Sequence, residues 1–431
     1  MSPIQIFIKD YKAVKSAQID LNGITVISGV NGAGKSSISR LLYYALKYAN
    51  NYDTIVNRLF VSELFQIDLL FQSATIGFRK KGVTDEINNC RRLIRETANN
   101  ATKEAAYIKA LELIRELLKN TDTEEEPYTL RLTSIIEGPI LHSGKKLGEG
   151  NYTSVDTVIK QVKDIFTKTE KLSVNRNYTL YRNAVEESTN ERLNNVSIFE
   201  YGIPFIGRDV KSVPIPSYVQ NAIYIDTPMI AGMNFENGSF QGVEYWRDLN
   251  AVLSRPAHKS YSHTVNNYIK KVIGGDAFVD FGLSSDGKIK YRREDGLEID
   301  LADSATGIKS LSMLQALLRN GSITENTLLI IDEPEAHLHP QWIVEYARII
   351  VMMHQKIGTK FFIASHSTDF VSAVKYIAEK QKVQKSLSFY LAEEDKRKQY
   401  SYNYKSLGTD IEPIFESFNK SLDKISEYGG W

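Results

Sequence analysis

A glycine-rich segment near the start of the chain constrains the fold more than any other feature. Residues 29–36 read Gly-Val-Asn-Gly-Ala-Gly-Lys-Ser and match the pattern G-x-x-x-x-G-K-[ST] at every fixed position. A β-branched run, Ile24 to Ser28, precedes the segment, and apolar residues at helical spacing follow it from Ser36 to Tyr48. A strand, a glycine loop and a helix in this order predict a P-loop and an α/β fold.

The loop predicts a site for the phosphates of ATP. Gly29, Gly32 and Gly34 lack a Cβ, so the backbone N–H groups and the helix N-terminus can come close to an anion. We expect Lys35 to reach the β- and γ-phosphates and Ser36 to bind Mg²⁺ through its hydroxyl. The other nucleotide-binding candidates in this segment are Asn31 and Ser37.

Two later strands end in polar side chains. The predicted strand 328–332 ends at Asp332, with Glu333 next in the chain, and the predicted strand 361–365 is followed by His366. Parallel α/β sheets place their sites at such strand ends. We expect Asp332 to hold Mg²⁺ through water and Glu333 to polarise the attacking water as general base. His366 would contact the γ-phosphate or orient the water. Taken singly, these strand ends are also typical of solvated acids or a surface histidine.

Together these motifs resemble the ATPase heads of RecF, SMC and OLD proteins. Residues 332–340, DEPEAHLHP, look closer to OLD-like ATPases, including those of bacterial anti-phage systems such as Septu, than to transporters, which usually read D-E-P-[ST]-x-x-L-D. The opening Ile6 to Ala13 is similar to that group's first strand and turn. The resemblance covers roughly residues 1–50 and 300–410. It implies an ABC/SMC-type P-loop fold, with a mixed sheet, flanking helices and a helical insertion, that hydrolyses ATP with Mg²⁺.

The resemblance also implies self-association. In this superfamily a signature loop of one subunit caps the ATP held by another, and the similar segment here is Ser304 to Ser310. Thr306 and Gly307 would bind the partner's nucleotide, within a homodimer or higher oligomer. Ala305 stands where a serine is expected, so Ser304 or Thr306 would supply the hydroxyl. The alternative for this segment is an ordinary helix N-cap.

Four further residues carry weaker predictions. Related heads use a glutamine to sense Mg²⁺ and the γ-phosphate, and Gln66 or Gln72, in a region of strand-like pattern, would serve. Both are equally well surface residues. His337 and His339 lack an evident third metal ligand, so we favour a structural or subunit-interface role.

Length and periodicity suggest three parts for the 431 residues. Residues 1–80 would form the N-terminal part of the head and 221–431 its C-terminal part. Residues 81–220 would form a helical or mixed insertion of unknown role, since apolar residues from 84 to 120 recur at three- and four-residue steps.

Composition excludes several classes. The net charge of +1 gives no global signal for nucleic acid or a membrane surface. The short basic runs 79–81 and 292–293 are typical of solvated turns, the alternative being contacts to nucleic-acid phosphates. Cys90 is the single cysteine, which excludes an internal disulfide and a cysteine-rich zinc site. We find no signal peptide, and the most apolar stretch, Leu328 to Ile331, is too short to span a bilayer. These features favour the cytoplasm and no membrane.

Three functions compete. The favoured one is an OLD-like ATPase, gated as a dimer, that controls a separate effector in DNA-related or anti-phage defence. Only about 65 residues follow His366, too few for the Toprim nuclease domain of OLD nucleases, so the effector would be another protein, a nuclease or a toxin. A RecF- or SMC-like DNA repair or maintenance ATPase is the alternative, with DNA as partner. A transporter subunit is disfavoured by the roughly 270 residues between Gly34 and Gly307. A non-hydrolysing ATP-gated scaffold also remains.

Overall fold

The computed structural model describes residues 2–77, 81–119, 130, 132–133, 135–136, 155–230, 243–258, 261–281 and 287–417. The chain divides into two compact units. One unit combines Met1–Asn50 with Tyr178–Trp431, and the other is the intervening stretch Asn51–Asn177. The first unit contains the P-loop and both predicted catalytic strand ends, so it carries the candidate site.

Within the described residues, the strands all belong to the first unit. In chain order they are β1 (Ile4–Tyr11), β2 (Val14–Leu21), β3 (Ile24–Ser28), β4 (Val196–Glu200), β5 (Ile203–Ile206), β6 (Asn221–Ile225), β7 (Gly275–Asp280), β8 (Lys288–Arg293), β9 (Glu298–Asp300), β10 (Thr327–Asp332), β11 (Lys360–Ser365), β12 (Leu387–Glu394) and β13 (Tyr402–Gly408).

The helices are divided between the two units. Those of the first unit are α1 (Lys35–Asn50), α6 (Tyr178–Thr189), α7 (Glu244–Leu253), α8 (His263–Ile273), α9 (Thr306–Arg319), α10 (Pro340–Ile357) and α11 (Thr368–Lys380). Those of the second are α2 (Tyr52–Gly77), α3 (Lys81–Glu96), α4 (Asn100–Lys119) and α5 (Val155–Asn175).

A mixed sheet organises the first unit. Within the described residues it has ten strands in the order β5-β4-β1-β2-β13-β12-β3-β11-β10-β6. The half from β12 to β6 is parallel throughout, whereas β5, β4, β1 and β2 pair antiparallel with one another. Strands β7, β8 and β9 form a separate small antiparallel sheet. The predicted α/β fold with a mixed sheet and flanking helices is confirmed.

The parallel half is built from strands that are apolar and buried on both faces. β3, β10 and β11 are buried along their whole length, as parallel strands covered by helices require. Their inner face packs with residues of α9, α10 and α11 in one continuous hydrophobic core. In register, Ser28 lies beside Ser365, and Ala364 lies beside Asp332. The P-loop, the acids at the end of β10 and His366 therefore lie at the same edge of the sheet.

The second unit is helical in its described residues. Phe60, Leu64, Ile67 and Phe71 recur at three- and four-residue steps on α2 and pack in a separate core with residues of α3, α4 and α5. The predicted helical segment 84–120 thus appears as α3 and α4, joined by three residues.

One helix among the described residues is long and apolar enough to be a candidate membrane span. The helical stretch Tyr52–Ile76 could cross a bilayer by its length and composition. Of its apolar 18-residue segment, 33% is buried inside the protein. A single helix of this kind is weak evidence for a membrane span, because the core helix of a soluble protein can have the same length and composition. The membrane-free, cytoplasmic location remains a prediction.

The compact units differ in their bounds from the three parts expected from sequence. The breaks fall at Asn50 and Asn177, not near residues 80 and 220. Residues 178–220 contribute α6, β4 and β5 to the sheet-containing unit. The assignment of roles to 1–80, 81–220 and 221–431 stays a prediction.

Candidate functional site

The P-loop backbone places glycines in conformations that other residues rarely adopt. Gly32 and Gly34 have φ of 81° and 91°, a left-handed region that other residues rarely adopt. A Cβ on Gly34 would lie 2.8 Å from Cγ2 of Val14, whereas a Cβ on Gly32 would meet nothing within 4 Å. Gly34 is thus needed for both conformation and packing, and Gly32 for conformation alone.

Lys35 lies over the loop that precedes it. Its buried ammonium donates to the carbonyl of Gly29 at 2.7 Å and to that of Val30 at 3.0 Å. Burial lowers the pKa of Lys35, and the nearby carboxylates Glu333 and Asp332 act in the opposite direction. A cation held at the mouth of a glycine loop is suited to the phosphates of a nucleotide.

A tyrosine from the far end of the chain fixes the loop. The hydroxyl of Tyr404, on β13, donates to the carbonyl of Ala33 at 3.1 Å. Both residues are buried. No local sequence signal identifies this contact, because it joins positions 371 residues apart.

Asp332 is a buried carboxylate at the end of β10 that contacts the P-loop helix α1. Its Oδ1 accepts from Ser39 Oγ at 2.6 Å, its Oδ2 accepts from the Tyr224 hydroxyl at 2.7 Å, and the residue is 6% exposed. Burial raises the pKa of Asp332, and hydrogen bonds from Ser39, Tyr224 and Ser36 oppose that effect. Because the Ser36 hydroxyl is within hydrogen-bonding reach of a carboxylate, the pair provides the oxygen donors that Mg²⁺ prefers.

The backbone of Glu333 bends immediately after the end of β10. Its backbone has a left-handed φ of 48°, and its N–H donates to the carbonyl of Ala364 on β11 at 2.8 Å. Left-handed backbone in a non-glycine residue is uncommon and clusters at functional sites. The turn leaves the Glu333 side chain 42% exposed at the sheet edge.

His366 stands between two carboxylates. Its Nδ1 is 3.6 Å from Oε1 of Glu333 and 3.4 Å from Oε1 of Glu335. Neither approach has the geometry of a formed hydrogen bond. Glu335 Oε1 also accepts from Ser365 Oγ at 2.8 Å, His366 N at 2.9 Å and Ser367 N at 3.1 Å. The sequence pattern predicted no role for Glu335, although this residue belongs to the DEPE segment.

Comparison with protein families decides the class of this site. Residues 1–371 match the family model described as AAA ATPase domain. This chain belongs to that family. The predicted ATP-hydrolysing activity and P-loop fold are thereby confirmed at the level of the family.

Solved structures similar to this AAA ATPase are SMC head domains. The head from Thermotoga maritima is 10% identical over 94% of this chain and 99% of that one, with a TM-score of 0.37. The head with a coiled coil and joint from Pyrococcus yayanosii is 11% identical over 98% and 100%, with a TM-score of 0.38. The head with an extended coiled coil from Pyrococcus furiosus, bound to the C-terminal domain of ScpA, is 11% identical over 99% and 100%, with a TM-score of 0.35. Scores this low decide nothing further about the AAA ATPase.

The signature segment of the AAA ATPase begins a helix. α9 starts at Thr306, and the preceding Ala305 offers no side-chain cap to its N–H groups. The Ser304 hydroxyl donates to the carbonyl of Leu301 at 2.8 Å and is buried, which leaves Thr306 as the better candidate for a hydroxyl donor. A Cβ on Gly307 would lie 2.9 Å from Cε3 of Trp342, so this glycine also permits close packing.

The two glutamine candidates lie on a helix. Gln66 and Gln72 belong to α2 of the helical unit, so the strand-like interpretation of this region was wrong. Apolar residues occur on several faces of α2, so the sequence of this helix does not show a clear helical period. Their sensing role stays a prediction.

The remaining candidates have local contacts. His337 and His339 are exposed, and Nδ1 of His339 accepts from Gln341 N at the start of α10. No group of three or more His, Cys, Asp or Glu residues suited to a metal occurs in the part of the chain that is described. Arg292 and Arg293 pair with Glu298 and Asp295 of the same small sheet and its turn. The basic run 79–81 lies outside the described side chains.

Proposed function

We propose that this AAA ATPase is an OLD-like, ATP-gated dimer that controls a separate effector protein, a nuclease or a toxin, in defence against foreign DNA. The DEPEAHLHP segment supports the OLD-like assignment through its resemblance to that group, and its Glu335 contacts the backbone of His366 at the site. A cytoplasmic location fits that role.

The exposure of the catalytic pair carries the dimer proposal. Glu333 and His366 remain 42% and 40% exposed, although phosphoryl transfer relies on fixed charges in a site closed to bulk water. A second copy can close it with the N-terminus of α9, where Thr306 and Gly307 offer uncapped N–H groups to a γ-phosphate.

Each residue then has a defined task. Lys35 and the N–H groups of Gly32 and Gly34 hold the phosphates, and Ser36 and Asp332 hold Mg²⁺, with Asn31 and Ser37 beside them. Bound Mg²⁺ neutralises charge on the phosphate oxygens.

Glu333 accepts a proton from the attacking water as the water oxygen bonds to the γ-phosphorus and the bond to the β–γ bridging oxygen breaks. His366 orients that water or contacts the γ-phosphate. Positioning and charge carry the reaction, without a covalent enzyme intermediate.

Turnover measured against protein concentration tests the gating. If two copies form the site, the rate per chain rises with concentration until the dimer saturates. Thr306→Ala, which removes the candidate hydroxyl donor, should lower the plateau. Thr409→Ala, at an exposed threonine of the same unit, should leave it unchanged. A rate per chain that is constant from nanomolar to micromolar protein would rule out gating by a second copy.

Capture from the native host tests the effector. Glu333→Gln should accumulate the ATP-bound form and retain its partner, and Lys35→Ala, processed in parallel, should not. A nuclease or toxin present only with Glu333→Gln supports control of an effector. Recovery of DNA alone would favour the repair or maintenance function.

A further inference from the structure

Glu335 is the most enclosed carboxylate at the phosphate edge that the chemistry above leaves unused. Its side chain is 5% exposed, and it follows the general-base candidate Glu333 by two residues. Burying a carboxylate is unfavourable unless donors replace its water. Its Oε1 receives three, from Ser365 Oγ and the N–H groups of His366 and Ser367.

These bonds fix the segment that presents His366. The three donors are consecutive residues at the end of β11, and Ser367 then caps α11 by accepting from Phe370 N at 3.2 Å. The backbone on both sides of His366 is therefore held by one carboxylate oxygen. The imidazole can change its orientation only by side-chain rotation.

The same oxygen also limits that rotation. Oε1 of Glu335 is 3.4 Å from Nδ1 of His366, and Nδ1 itself is buried although 40% of the side chain is exposed. The exposed part of the side chain therefore lies away from Nδ1. Near-contacts of this length in a nucleotide-free site commonly shorten when substrate binds.

We propose that Glu335 is the positioning residue for His366: its buried carboxylate holds the backbone at 365–367 and directs Nδ1 inward, so that Nε2 faces the phosphates. Oε2 of Glu335 is buried and has no hydrogen-bond partner among the described residues, so this carboxylate is held through Oε1 alone. The inference rests on the proposed role of His366 in turnover.

A double-mutant cycle on kcat tests the pairing. Glu335→Gln keeps an oxygen acceptor for the three donors but removes the charge facing Nδ1. We expect it to preserve the melting temperature and the ATP KM and to lower kcat by roughly 10- to 100-fold, the order expected for a misplaced catalytic group. In a His366→Ala background the same change should lower kcat less than twofold, because no imidazole remains to be positioned.

Controls separate positioning from folding. Glu412→Gln, an exposed glutamate of the same unit, should change neither kcat nor stability. If Glu335→Gln lowers the melting temperature, Glu335→Asp serves as the second variant, and partial recovery of kcat with the shorter carboxylate supports a charge-dependent role.

Each of the following results would overturn the proposal. They are an unchanged kcat for Glu335→Gln, an equal loss with and without His366, and a loss confined to KM. A His366→Ala variant that turns over normally while Glu335→Gln does not also counts against it. If the turnover of the unmodified chain does not depend on protein concentration, only the dimer proposal is affected. The double-mutant cycle on kcat can be measured for a monomer or for a dimer.

Discussion

The hydroxyl of Tyr224 donates a hydrogen bond of 2.7 Å to Oδ2 of Asp332, and both groups are buried. Tyr224→Phe removes this donor and leaves the buried carboxylate with one acceptor unpaired. We expect the free energy of unfolding to fall by about 1–3 kcal/mol, measured by urea denaturation. Tyr376→Phe is the matched control, because Tyr376 is 61% exposed. Equal unfolding midpoints for Tyr224→Phe and the unmodified chain would contradict the prediction.

Lys35→Ala removes the cation that faces the glycine loop. Loss of a charge-assisted contact of about 3 kcal/mol corresponds to a Kd raised on the order of 100-fold or more. Titration with a fluorescent ATP analogue measures this, with Lys385→Ala as an exposed-lysine control. An unchanged Kd would remove Lys35 from the nucleotide site.

Glu333→Gln retains the size and exposure of the side chain but cannot accept a proton from water. We expect ATP binding to persist while the turnover rate falls by about 10²- to 10⁴-fold, the usual contribution of a general base. Single- and multiple-turnover assays with labelled ATP separate the two steps. Sustained multiple turnovers by this variant would refute the assignment.

Gly34→Ala should destabilise the first unit more than Gly32→Ala does. Both positions have left-handed φ, which costs an L-residue about 1–2 kcal/mol, but only Gly34 also lacks room, with Val14 Cγ2 at 2.8 Å. Thermal unfolding without nucleotide gives the comparison. Gly82→Ala, in a helical position with open space, should show no loss. The reverse order for Gly32 and Gly34 would mean that packing against Val14 is unimportant.

Strands with uninterrupted apolar runs are the elements that the sequence predicts best. The predicted strand Ile24 to Ser28 coincides with β3, and the predicted runs ending at Asp332 and Ser365 differ from β10 and β11 by one residue. These runs are short, buried on both faces and followed by polar residues, so both their type and their ends are evident. The pattern did not predict the helix α2, because apolar residues on several of its faces hide the helical period.

Contacts between distant residues could not be predicted. Tyr224 and Asp332 are 108 residues apart, and nothing near either one indicates the other. Glu335 stood within a recognised motif, yet its hydrogen bonds to residues 365–367 depend on the parallel pairing of β10 with β11. Ser39 was not predicted either, although it lies one helical turn beyond Ser36 and shares its face of α1.

The neighbours of β3 in the sheet bear on how the protein is made. β3 ends at Ser28, but the two strands hydrogen-bonded to it span Lys360–Ser365 and Leu387–Glu394. A growing chain on the ribosome therefore carries its glycine loop for more than three hundred residues before either neighbouring strand has been synthesised. Nascent chains and fragments that stop before residue 360 should be unable to retain nucleotide, even though every residue of the loop is present.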